Sequence, residues 1–421
     1  MKNTLLAAIM LIFALAAGAA VMAQEPANLR FLCMQAGNEC ETYADLLARF
    51  TQQNPEVSVS VDVVAEDEFV ARWQAAADAG AVYDIARVNA PGPAGGYLEL
   101  RPLLGETLTD SFRPAYFEAL RGSADDDGLY GYPDALGVVA PFVNTSLFEQ
   151  AGVALPADDA SWDDWLAALE QVLAATDASY ALAVDNKDHR LVGPALSLGA
   201  QYFDEDGKLT LPDAGGLRAF LQILYGLMAT GKTPDDTLLG TGKSQDYFVR
   251  GETVMYICGS WKVEEVAAQV GDDFAWTIVP NPAGAAGGAG VAQATWLAAS
   301  AETNHQDAVA QVFAFLLDAE VSAEFAARTL TVPAREDLAA GAIDYQTDDN
   351  RVAAALNAFA REASKLQDQA IALDSHPLAS AYYQASNANL RAYFAGELGL
   401  DDALGNLRSA LEGANAAAAN S

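Results

Sequence analysis

The chain has 421 residues and a formal net charge of −34, set by 57 acidic against 23 basic side chains. A surface of that sign repels phosphate backbones and anionic membranes, so neither nucleic acid nor a lipid surface is an expected partner. With 52% hydrophobic and 19% charged residues, the chain is too apolar for disorder and too long for one core, so two domains are expected.

Lys2 opens a leader in which residues 5–17 form an apolar run shorter than the ~20 residues of a bilayer span. Val21, Met22 and Ala23 then fit a secretory cleavage site, so residues 1–23 read as a signal peptide. No cysteine stands at that site, and a free periplasmic protein without a lipid anchor is the expectation. Residues 29–34 read as an apolar strand, followed by a polar loop over 35–41. Tyr43, Leu46, Leu47 and Phe50 then keep helical spacing until Asn54 and Pro55 stop it. Residues 57–64 alternate as a strand, 69–79 read as a helix ended by Gly80, and 83–88 as a short buried strand. This alternation predicts an α/β fold with a parallel or mixed sheet covered on both faces.

Cys33 and Cys40 flank the 35–41 loop and, in an oxidising compartment, can either close a local disulfide or remain as thiols. Cys258 lies in an apolar strand-like run (253–258) and reads as a buried thiol. Turn formers break the chain at 89–93. Ser161 and Asp164 have the spacing of a helix capping box, and residues 204–208 form a tight turn between strands. Residues 280–290 (PNPAGAAGGAG) have the most flexible composition in the chain, and a strand follows over 291–299. Residues 305–330 read as one long helical region, the chain beyond 345 is helix-rich, and 414–421 read as a frayed tail.

Catalytic signatures fail one after another. His189, His305 and His376 each stand alone, without metal-ligand spacing, and read as surface or cap residues. Residues 240–244 (GTGKS) resemble the end of a phosphate-binding loop, but Thr237 stands where its first glycine is required. No nucleophile elbow occurs, and Asp204, Asp206 and Gly207 supply half a calcium loop without its closing glutamate. No metal, cofactor or enzymatic activity is expected.

Five segments together resemble the extracellular solute-binding proteins of family 1, the carbohydrate-binding, maltose-binding-protein-like components of ABC importers. Residues 128–134 (GLYGYPD) resemble its G-x-Y-G-x-P segment. Residues 142–153 (FVNTSLFEQAGV) with 161–165 (SWDDW) resemble its Y-N-x-x-x-F-x-x-A-G and W-x-E run, with Phe142 at the usual tyrosine. Residues 200–208 (AQYFDEDGK) resemble its glycine-pair turn, without the glycines. Residues 248–261 (FVRGETVMYICGSW) resemble F-x-x-G-x-x-A-M-x-x-x-G-x-W, with Val254 for the alanine. Residues 308–325 and 332–335 (VPAR) resemble the closing helix and P-x-R.

The resemblance implies a two-lobed periplasmic binding protein-like fold with a hinge and an interlobe cleft. One lobe would comprise 24–137 with 294–335, the other 138–293 with 336–421. It implies a monomer that carries a sugar to the transmembrane subunits of a permease. A polyol, phosphorylated polyol or polyamine in the same cleft is the alternative, and a secreted glycoside-acting enzyme a remote one.

A sugar presents apolar C–H faces and a hydroxyl rim, so its site needs an aromatic platform and fixed polar partners. Trp261, which follows a strand at a Gly-Ser turn, is the first candidate platform, and Trp296 the second. Gln35, Asn38, Glu39, Asp84, Asn89 and Gln293 are candidate hydrogen-bonding partners, placed at expected strand ends. Tyr132, Asp134 and Tyr202 lie in segments that border the cleft in the family, and Arg335 either contacts ligand or ties the hinge. Trp162 and Trp165 read as packing residues at a helix start.

Overall fold

In a computed structural model, which describes residues 26–92, 95–105, 108–121, 126–288 and 290–418, the apolar runs become thirteen strands. The expected signal peptide lies outside the described residues. The strands are β1 (Ala27–Gln35), β2 (Val57–Ala65), β3 (Ile85–Asn89), β4 (Tyr132–Asn144), β5 (Tyr180–Ala183), β6 (Gln201–Phe203) and β7 (Leu209–Asp213). They continue with β8 (Thr253–Gly259), β9 (Trp276–Ile278), β10 (Ala283–Gly284), β11 (Gly287–Gly288), β12 (Ala292–Ala299) and β13 (Val332–Pro333). The main sheet runs in the order β2-β1-β3-β12-β4-β8-β5, with β13 and β9 also paired to β4.

β4 belongs to both lobes. Its first half pairs with β12, from Tyr132 opposite Leu297 to Val138 opposite Ala292. Its second half pairs with β8, Val139 lying opposite Gly259 and Val143 opposite Met255, and also with β9. The alternation of a strand places Ala140 and Phe142 in one hydrophobic core and Val139 and Val143 in another. Two apolar faces explain why residues 138–143 are an unbroken buried run. The chain returns through β12 and crosses again beyond β13, whose Val332 lies opposite Leu136. The fold is therefore α/β and two-lobed, with the lobes joined by continuous strands.

Strand direction fixes where a cleft can lie. β1, β2 and β3 run parallel, so their carboxyl ends share one edge. β12 runs antiparallel to β3 with Thr295 opposite Asn89, and Thr295 also lies opposite Ala135 of β4. β8 runs antiparallel to β4 and ends at Gly259, opposite Val139. The carboxyl ends of both lobes therefore face each other across residues 135–139, about 13 Å at ~3.3 Å per residue.

Local expectations are met at some places and changed at others. Residues 305–330 form two helices, Gln306–Leu316 and Ala319–Thr329, because the Asp318 carboxylate caps the second by accepting from the Glu320 and Val321 amides. The glycine-rich stretch around 280–290 closes into the β10–β11 hairpin. The final helix, Leu400–Ala418, continues past the expected fraying point. Ser161 and Asp164 form a complete capping box.

A buried polar cluster pins the first lobe just behind its cleft edge. Arg87 Nε donates to Asp134 Oδ2 at 2.7 Å, with both side chains almost wholly buried. Its Nη1 donates to the Met34 carbonyl (2.8 Å) and its Nη2 to Thr295 Oγ1 (3.0 Å). Thr295 Oγ1 and the Tyr43 hydroxyl both donate to Asp134, at 2.6 and 2.8 Å. Burial and the Asp134 charge push the Tyr43 phenol well above its ordinary range. Glu39 approaches the same guanidinium at 3.8 Å. One cation thus ties β1, β3, β4, β12 and the helix Glu39–Gln53 together. Cys33 and Cys40 are joined by a disulfide that closes the loop between β1 and that helix.

Arg87→Met leaves Asp134 buried without its charge partner and should destabilise the fold by about 3–5 kcal/mol in denaturant unfolding. A loss below about 1 kcal/mol contradicts the pinning role. The paired replacement Cys33→Ala with Cys40→Ala should cost about 2.5 kcal/mol, as expected for so short a loop, and reductant should have no further effect on that variant.

Candidate ligand-binding site in the interlobe cleft

The first lobe offers strand ends. Gln35 and Ala65 close β1 and β2 opposite each other, and Cys33 pairs with Arg87, which brings Asn89 level with Gln35. Beyond β2, Glu66, Asp67 and Glu68 form an exposed turn, and Asn89 Nδ2 donates to Glu66 Oε1 at 2.7 Å. Gln35 Nε2 donates to the Gly37 carbonyl (2.6 Å) and Asn38 Nδ2 to the Arg328 carbonyl (3.1 Å). Glu39 turns inward and accepts from the Ala36 and Gly37 amides. This edge therefore presents amides and carboxylates, while the Arg87 guanidinium is committed below it.

The second lobe offers an aromatic platform. β8 ends at Gly259, and the chain turns through a short 3-10 segment, Ser260–Lys262, whose Ser260 Oγ accepts from the Val138 amide of β4 at 3.2 Å. That bond fixes the turn to the crossing strand. Trp261 is 41% exposed, among the most exposed large hydrophobic side chains described. Its ring lies over two glycines: a Cβ on Gly137 would come within 2.9 Å of Trp261 Cε3, and one on Gly259 closer still. Only glycine at both positions lets an indole lie against the end of the sheet.

His189 touches the ring, and further polar groups lie along the strand beside it. His189, on the helix that follows β5, meets Trp261 edge to face with centroids 5.6 Å apart. Burial, reinforced by Arg190 and Lys187, pushes its imidazole down to about 4, so the ring is neutral at ordinary pH. Gln293 of β12 lies opposite Gly137, and its Nε2 donates to Asp374 Oδ1 at 3.3 Å. The Tyr383 hydroxyl donates to the same oxygen, also at 3.3 Å. Burial pushes the Asp374 carboxyl up to about 6, against the pull of these two donors. Behind them Arg190 pairs with Asp185 and donates to Cys258 Sγ (3.2 Å), and Asp185 accepts from Ser244 (2.6 and 2.8 Å), which locks the ends of β5 and β8 together.

The residues singled out from sequence divide into two groups. Trp261, Gln35, Asn38, Asn89 and Gln293 lie at the facing strand ends, and Glu39 sits just behind them. The others are interior. Asp84 precedes β3 and so lies at the opposite end of the strand, accepting from the Arg30 amide (2.9 Å) and Thr303 Oγ1 (2.6 Å). Trp296 is fully buried with its ring edge-on to Tyr116, and Tyr132 packs among Phe112, Phe117 and Phe313. Tyr202 is buried against Tyr382, and Asp134 belongs to the Arg87 cluster. Arg335 is held by the Leu317 carbonyl (2.6 Å), Ser111 Oγ (3.1 Å) and Asp337. These side chains follow the inward phase of their strands and helices, which a segment-level reading does not resolve. His189, Asp374 and Tyr383 were missed. His189, expected as a surface or cap residue, lies in the first turn of the helix Asp188–Ser197, and the other two lie on C-terminal helices with no local signature.

The arrangement supplies one open indole face, a neutral imidazole, an amide and a carboxylate at the junction of two lobes. Among the described residues no three His, Cys, Asp or Glu side chains are grouped to hold a metal ion. Residues 36–323 match the family described as bacterial extracellular solute-binding protein. The lactose-binding protein of Rhizobium radiobacter is 24% identical over 273 residues, which span 62% of this chain and 64% of that protein, less than two thirds of its length. The cyclic alpha-maltosyl-1,6-maltose binding protein of Arthrobacter globiformis has a TM-score of 0.76 at 17% identity, covering 92% of this chain and 98% of that one. The sugar-binding protein MalE of Xanthomonas citri has a TM-score of 0.75 at 20% identity, with the same coverage. Those likenesses bear on the fold, whereas the family match spans more than half of the sequence, and this chain belongs to the bacterial extracellular solute-binding proteins.

Proposed function

We propose that the protein captures a mono- or oligosaccharide in the interlobe cleft and delivers it to the permease of an ABC importer. The observation that carries this reading is Trp261, an exposed indole face laid over Gly137 and Gly259 where two lobes meet. A pyranose ring stacks its C–H face on such a surface and directs its hydroxyls to fixed polar groups, here Gln293, His189 and Asp374. The names of the relatives, which bind lactose and maltose-based sugars, support the same substrate class.

We place the lobes at 24–137 with 294–335 and 138–293 with 336–421. Closure about residues 137–139 and 291–293 brings the ends of β1, β2 and β3 onto a ligand lying against Trp261. The ligand must contact both lobes, because only a differential interaction shifts the open–closed equilibrium. The protein is read as a non-catalytic, monomeric periplasmic carrier, freed from its signal peptide. A phosphorylated polyol is disfavoured, because Arg87 and Arg190 are both committed to buried carboxylates.

Titration calorimetry across a panel of neutral saccharides checks the assignment. At least one should bind with a micromolar or lower Kd; tight binding of an amine or peptide and of no sugar contradicts it. Trp261→Ala should weaken that saccharide by about 2 kcal/mol, roughly thirtyfold in Kd, with little change in Tm. Unfolding of this variant instead would make Trp261 a core residue. Gly137→Ala, which tilts the ring without removing it, should weaken binding by about tenfold at unchanged fold stability.

A further inference from the structure

Beside the platform, Asp374 is a carboxylate whose second oxygen the contacts above leave unused. Asp374 lies on the helix Asp368–Ser375, which packs against β12, against Pro114–Glu118 of the first lobe, and against Asp188–Ser197 and β6 of the second. The helix therefore touches elements of both lobes. Its Oδ1 is saturated by Gln293 Nε2 and the Tyr383 hydroxyl. Its Oδ2 accepts no hydrogen bond among the described residues. Gln293 in turn lies opposite Gly137, on which the Trp261 ring rests, so the side chain that holds Asp374 leaves the strand pair on the same face as the aromatic platform.

We propose that Asp374 Oδ2 grips a pair of adjacent hydroxyls on the ligand, which makes Asp374 a specificity-determining residue of the cleft and makes capture acid-labile. The inference rests on the saccharide reading above and names the part of the sugar that is read. A carboxylate oxygen offers two lone pairs to O–H donors, and two neutral donors on Oδ1 hold its plane without neutralising its charge. An ether, a deoxy sugar or a singly hydroxylated ring cannot satisfy it in the same way.

The electrostatic surroundings leave this charge uncompensated. On the packed elements stand Arg113, Tyr116, Glu118, His189, Arg190 and Tyr202, with His376, Tyr382 and Tyr383 following Asp374. Arg113 is engaged by Asp368 and the Leu366 carbonyl, and Arg190 by Asp185 and Cys258. Only Tyr383 of this set hydrogen-bonds Asp374. With no cation beside it, burial raises the carboxyl to about 6. The folded, ligand-free protein therefore holds Asp374 ionised above that pH and protonated below it. A ligand that needs the carboxylate meets a binding-competent fraction that falls about tenfold for each pH unit below 6. His189, pushed down to about 4, stays neutral across the same window.

The test takes a vicinal-diol saccharide shown to bind at pH 7.5 and repeats the titration at pH 6 and pH 5, for wild type and Asp374→Asn. Wild type should lose roughly tenfold in affinity by pH 5 and release about half a proton per ligand bound at pH 6, read from buffers of different ionisation enthalpy. Asp374→Asn should bind about tenfold more weakly at pH 7.5, show a flat pH profile and release no proton. A wild-type affinity unchanged between pH 7.5 and 5, or the full wild-type profile in the asparagine variant, overturns the proposal. If the variant does not fold, the wild-type profile and proton count decide alone. Absence of any saccharide binding at pH 7.5 is a different failure: it removes the saccharide reading, and this inference with it.

Discussion

Both walls of the cleft hang from one strand. β4 pairs with β12 in the first lobe and with β8 and β9 in the second, and its residues 138–143 are buried on both faces. A register slip of a single residue would exchange Val139 and Val143 with Ala140 and Phe142 between two cores, so the register is strongly specified. Because Gly137 and Val139 are fixed in that register, the turn carrying Trp261 and the strand carrying Gln293 are fixed as well. The site is therefore a property of the hinge rather than of either lobe.

Charge is handled differently behind the walls and on them. Arg87 and Arg190, each almost wholly buried, are paired with Asp134 and Asp185, and their hydrogen bonds tie strand ends together. Such pairs contribute little net stability against apolar replacements, but removing one partner leaves an uncompensated buried charge. On the cleft itself the platform side offers a neutral imidazole, an amide, a phenol and the Asp374 carboxylate, and the first-lobe edge offers amides and the carboxylates of residues 66–68. That surface suits an uncharged, hydroxyl-rich ligand in a protein whose overall charge is −34. The global charge does not by itself decide what the cleft holds, because a pocket sets its own local field.

The α/β class, the strands over 57–64 and 253–258, and the strand-Gly-Ser-Trp turn were legible because period-two alternation and turn residues are local signals. The side-chain directions were not. Trp261 closes a segment with family likeness and Trp296 lies in the strand read over 291–299, yet Trp296 is fully buried and Trp261 open, and the difference is a matter of strand phase and of two glycines, of which Gly137 is distant in sequence. Asp84 was misplaced because it precedes its strand rather than ending it. Arg87 sits in a stretch read as buried, where an arginine signals a buried partner without naming Asp134. Asp374 and Tyr383 reach the cleft only through the packing of C-terminal helices against β12, which no local pattern encodes.

The most direct measurement is a crystal structure of the protein with a bound saccharide. The account predicts a closed cleft, with a sugar ring stacked on the Trp261 face above Gly137 and hydroxyls reaching Gln293, Asp374 and the strand ends of the first lobe. A ligand bound outside the cleft, or one that leaves the Trp261 face bare, would contradict it.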